Sequence, residues 1–121
     1  MQDDLPEWEG SEAFWEARDK HAAGDLAGAF VAYADIIGST VRDYADAELP
    51  YVAAALLAVA AVADESGERR SAVAAYNMAI RTIERNEARL AAYGWLGEAA
   101  AGARVRRDLL AATTDVGSST E

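Results

Sequence analysis

The sequence predicts an all-α chain of antiparallel helical hairpins, and three observations carry that expectation. Alanine supplies 30 of the 121 residues, there are 2 Pro and no Cys, and apolar residues recur at steps of three and four along most of the chain. Alanine is the best helix former and a poor strand former, and steps of three and four mark one face of a helix. With the alanines set aside, 33 larger apolar side chains remain, so the core is thin and its helices must approach closely. A chain of 121 residues holds one core rather than two.

Residues 1–10 form an acidic arm whose large apolar groups are Leu5 and Trp8. Such groups in a charged arm dock either on their own domain or on another chain. Ser11 can cap a first helix that runs to about Ala23, where Gly24 stops it. Asp25 offers an acceptor to the next amides, and Leu26, Ala29, Phe30, Tyr33, Ile37, Val41 and Tyr44 predict one long amphipathic helix reaching about Ala47. Pro50 suits the first turn of a third helix, in which the apolar run from Tyr51 to Ala63 should be the most buried segment, and Gly67 closes it. A fourth helix starts near Glu68, with Val73, Tyr76, Ala79, Ile80 and Ile83 on one side. The segment 86–112 should be helical with one break, because Gly94, Gly97 and Gly102 each cost about 1 kcal/mol in a helix interior. The helical domain is thus 11–112, and residues 113–121, which have no apolar period, are expected as a disordered tail.

Charge and composition exclude several functions. The net charge is −10, divided unevenly: residues 1–65 carry 14 acids against 3 bases, and residues 66–121 carry 7 acids against 8 arginines. An acidic half repels phosphate backbones, so no nucleic-acid partner is expected, and unlike charge on the two halves allows association between copies, including a homodimer. No run is long enough for a membrane span and no secretory leader is apparent, which points to the cytoplasm. Ten Arg against one Lys, with so much Ala, reads as GC-rich bacterial coding and has no chemical meaning. Without Cys, and with His21 the single histidine, thiolate and His-rich metal sites are excluded, and no cofactor motif is present. Glu7, Glu9, Glu12 and Glu16 lack the alternating oxygen ligands of a calcium loop. No metal is predicted. His21 and Asp25 have no nucleophile beside them, and His21 reads as a solvated helix-end residue, so no catalytic residue is assigned. Arg81, Arg85 and Arg89 form a stripe able to take an acidic group.

The organising feature is a repeat. Gly24-Asp25-Leu26-Ala27-Gly28-Ala29-Phe30-Val31-Ala32-Tyr33 and Gly67-Glu68-Arg69-Arg70-Ser71-Ala72-Val73-Ala74-Ala75-Tyr76 share the pattern Gly-acid-x3-Ala-apolar-x2-Tyr. Leu56, Val59, Ala60 and Ala63 stand 34 residues before Leu90, Tyr93, Gly94 and Gly97. This resembles the tetratricopeptide repeat, with about two and a half degenerate units between Ser11 and Arg104. The resemblance implies a right-handed stack of hairpins with a concave groove along the first helix of each, whereas a closed helical bundle, the alternative, leaves no groove. Groove positions carried over from the family fall on Phe14, Arg18 and His21, then Leu57, Ala61 and Asp64, then Ala91, Trp95 and Glu98. They imply a non-enzymatic adaptor that holds a partner peptide or helix on Phe14, Leu57 and Trp95, with some basic character to suit Asp64 and Glu98. A second possibility is a small acidic helical homo-oligomer with a structural or partner-inhibiting role.

Overall fold

The structure is a computed structural model that describes residues 5, 8, 10–38 and 44–119, with side chains as far as residue 112. It has five helices, α1 (Ser11–Ala22), α2 (Leu26–Ile37), α3 (Leu49–Glu65), α4 (Arg69–Arg85) and α5 (Gly94–Ser119), and no strand among the described residues.

The two turns that carry the sequence repeat have one conformation. After α1, Gly24 takes φ +86°, the Gly24 N–H donates to the His21 carbonyl at 3.0 Å and the Asp25 N–H to the Lys20 carbonyl at 2.9 Å. After α3, Gly67 takes φ +80°, its N–H donates to the Asp64 carbonyl at 3.0 Å, and the Glu68 N–H donates to the Ala63 carbonyl at 2.9 Å. This pair of bonds is the Schellman closure, which needs a left-handed residue after the helix and so favours glycine. Asp25 then accepts from the Gly28 N–H at 3.0 Å and caps α2; the longer Glu68 side chain makes no such bond at α4. Ala29 and Ala72 are fully buried and Tyr33 and Tyr76 lie in the core.

α2 is shorter than its apolar period predicts. It stops at Gly38, whose φ of 59° and ψ of −128° are open to glycine but not to residues with a Cβ, so the expected continuation to Ala47 does not form. Tyr44 is buried as expected but not as part of α2, and its hydroxyl donates to the Ile37 carbonyl at 3.0 Å. Val41 lies outside the described residues, and Phe30, expected on the buried face, is 41% exposed. α3 begins with Pro50 in its first turn and is the most buried element, with eleven of its 17 residues buried. The segment 86–112 is not broken at its glycines: Gly94, Gly97 and Gly102 all lie within α5, and the non-helical stretch is residues 86–93 before it, where the Asn86 amide donates to the Thr82 carbonyl at 2.8 Å. α5 continues to Ser119, past the point where the apolar period ends, because once nucleated a helix adds one main-chain bond per residue.

Consecutive helices pack on each other, α1 also touches α3, and α3 also touches α5. The backbones of α1 and α2 make no close approach to those of α4 and α5. Leu5 and Trp8 pack on their own domain: both are half-buried against the core, and the Trp8 ring lies 5.0 Å from that of Tyr51. A Cβ at Gly10 would run into the Trp8 ring, so this residue must be glycine for the arm to lie there.

Candidate functional site

α1, α3 and α5 together wall a hollow of about 270 Å³. α1 contributes Phe14, Arg18 and His21, α3 contributes Ala54, Leu57 and Ala58, and α5 contributes Trp95 and Ala99, with Tyr33 of α2 behind them. Residues of α1 at steps of four and three share one side of that helix, as do those of α3, which is why segments distant in sequence meet here.

Phe14 belongs to both core and wall. It is 3% exposed, with its ring edge-on to Tyr33 at 6.1 Å and to Tyr51 at 5.4 Å. Leu57 and Trp95 are half-buried. The Trp95 Nε1–H is buried without an acceptor among the described residues, and a buried unpaired donor costs about 1–3 kcal/mol. Arg18 lies over the Trp15 ring at 5.5 Å and is paired with no carboxylate among the described residues, so it gives the hollow its formal positive charge. Burial raises the Tyr33 phenol above its ordinary pKa of 10.0, and the Arg18 charge opposes that rise.

His21 is not the solvated helix-end residue that its position predicts. Its Nε2 lies 2.7 Å from a Glu65 carboxylate oxygen and its ring stands edge-on to Tyr33 at 6.2 Å, so a contact between α1 and α3 holds it at the wall.

Asp64 and Glu98 are not part of the wall. The Asp64 carboxylate accepts from Arg106 Nε at 2.6 Å and Nη2 at 2.8 Å, and from the Tyr76 hydroxyl at 3.3 Å. The Arg106 hydrogen bonds and charge outweigh the effect of burial and hold the Asp64 carboxyl below its usual pKa, while burial first and then the Asp64 charge raise the Tyr76 phenol. Glu98 is exposed, and Ala61 and Ala91 also lie off the wall. The acidic flank expected from sequence is therefore not assembled, and with it goes the reason to expect basic character in a ligand. Arg89 likewise leaves the stripe with Arg81 and Arg85, reaching Asp46 at 2.8 Å and the Tyr44 carbonyl at 2.6 Å.

Sequence reasoning missed Tyr33, Ala54, Ala58 and Ala99 as lining residues. Ala54 and Ala99 lie one turn from Leu57 and Trp95, and Ala58 lies one turn from Ala54, so they share those helix faces. Also unforeseen is a second hollow of about 410 Å³ outside α2, where Leu26, Phe30 and Val31 face Val62, Ser66 and Glu68. Among the described residues no group of three or more His, Asp or Glu could hold a metal ion, and no helix is long and apolar enough to cross a membrane. The chain matches no family model, and no curated protein and no solved structure shows significant similarity to it.

Proposed function

We propose that the chain is a non-enzymatic protein-interaction module that takes an apolar segment of a partner protein into the hollow between α1, α3 and α5. The observation that carries this reading is the convergence of Phe14, Leu57 and Trp95 from three helices on one open, apolar hollow. Aromatic and aliphatic anchors entering such pockets supply most of the free energy of protein association. Arg18 and the unpaired Trp95 N–H suit a segment that brings an acceptor oxygen with its apolar side chain. The wall's composition supports the non-enzymatic part of this reading: its one hydroxyl is the Tyr33 phenol, whose pKa burial raises, and it carries no thiol or serine nucleophile.

We also read the architecture as a tetratricopeptide-like stack rather than a closed bundle. Support comes from the matching turns at Gly24 and Gly67, the buried alanines five residues after each, and helices whose backbones pack on sequential neighbours while those of α1 and α2 make no close approach to α4 and α5.

The test is selection of peptides displayed on phage against the wild-type chain, followed by binding to variants. Leu57→Arg and Trp95→Ala should each weaken the selected peptides at least about tenfold, as expected of central anchors, while Phe30→Arg on the outer side should not. Thermal midpoints should stay close to wild type for Leu57→Arg, because that side chain reaches solvent. Selected peptides indifferent to both hollow substitutions would overturn the proposal.

A further inference from the structure

The hollow leaves unexplained two charged stripes on the outer sides of α1 and α4. On α1, Glu12, Glu16 and Asp19 are exposed, have no partner among the described residues, and with the exposed Trp15 fall within an arc of about 100°. That arc lies across the helix from Phe14, Arg18 and His21. On α4, Arg70, Arg81 and Arg85 are exposed and likewise unpaired among the described residues. With Ala74 and the exposed Met78 they fall within about 80°. The pairing elsewhere in the molecule makes this face distinct. Arg89, Arg104 and Arg106 are committed to Asp46, Glu84 and Asp64, and Arg107 to Asn77 and Asp108. Because Arg104 draws Glu84 to α5, the one acid beside Arg81 and Arg85 on α4 is already engaged.

We propose that two copies of the chain associate by laying the acidic outer stripe of α1 on the basic outer stripe of α4 of the other copy. A basic face with an exposed Met at its edge calls for an acidic helix with an apolar edge, and α1 supplies both features. Each copy carries both halves of the contact, and the α1 stripe lies on the side of that helix away from Phe14, Arg18 and His21, so the hollow between α1, α3 and α5 is left open.

Salt dependence follows from the charges. Two chains of net charge −10 repel at long range, and that repulsion extends about 30 Å at 0.01 M salt but only about 10 Å at 0.1 M. Contacting pairs survive at 0.1 M and are themselves screened at about 1 M. Association should therefore be strongest near 0.1 M and weaker at both extremes.

Charge exchange tests the pairing. Sedimentation velocity should show Arg81→Glu/Arg85→Glu and Glu12→Arg/Glu16→Arg as monomers under conditions where wild type is dimeric. An equimolar mixture of the two should restore association, since the acidic α1 of one then meets the basic α4 of the other and the reversed faces also match. All four positions are exposed, and unchanged circular dichroism verifies folding; if a double variant unfolds, Arg85→Glu and Glu16→Arg replace the pair. Wild type that dimerises no more tightly than about 1 mM, variants that still dimerise, or a mixture that stays monomeric would each overturn the proposal.

Discussion

His21 and Asp64 occupy the same place in successive hairpins and have been put to different uses. Each is the residue whose carbonyl accepts the turn-glycine N–H, and each side chain meets the tyrosine of the following helix. His21 stays at the wall of the hollow, held by Glu65, whereas Asp64 is drawn to Arg106 on α5. The consequence for Asp64 has a sign. Its carboxyl titrates lower in the folded chain than when unfolded, so the stabilisation is complete above the unfolded value of about 3.9 and is lost as pH falls through the lower folded value. Asp64→Asn should therefore lower the urea midpoint at pH 7, and the gap from wild type should close progressively as the pH falls below about 4. A gap that is constant with pH would mean that the Arg106 pair does not account for the loss.

Helix ends show what a sequence can and cannot disclose about elements. Gly24 and Gly67 were legible as stops because a left-handed residue is needed there, and both turns follow the same dihedral path. Around each, a built Cβ would meet nothing within 4 Å, so Gly24→Ala and Gly67→Ala carry a backbone cost alone, about 1–2 kcal/mol apiece. Their urea midpoints should fall by similar amounts; a loss at one and none at the other would show that the turns are not equivalent. Ala29 and Ala72 are the close-approach residues behind those turns, both fully buried. Leucine at either should cost about 1–3 kcal/mol by overpacking, read from the same unfolding curves. The end of α2 was not legible, since Ile37 and Tyr44 are both buried and keep the helical period although the chain between them leaves the helix at Gly38. Hydrophobic period records which side chains are buried, not the path that buries them. Phe14, Leu57 and Trp95, placed on a groove by the tetratricopeptide resemblance, line the hollow, whereas Asp64, placed there by the same resemblance, is drawn to Arg106, 42 residues away with no local signal to mark it.

At the scale of the molecule, α3 is the one helix whose backbone packs on all four others, whereas those of α1 and α2 approach only each other and α3. When contacts are restricted to neighbours, opening one end need not disturb the other, and stability becomes graded along the chain. Hydrogen exchange should therefore be slowest in α3, faster in α4, and fastest in α1 and in α5 beyond Leu110. The arm supplies a way to separate this gradient from simple differences in exposure. Trp8 packs on Tyr51 of α3 and its carbonyl accepts the N–H of Ser11, the first residue of α1. Trp8→Ala removes the ring that packs on Tyr51, so it should accelerate exchange throughout α1 and leave α5 unchanged, since the backbones of α1 and α5 are not in contact. Mass spectrometry of peptic fragments resolves the two ends. An equal acceleration in α1 and α5 would show that the five helices open as one cooperative block, and the graded array would then be the wrong description of their energetics.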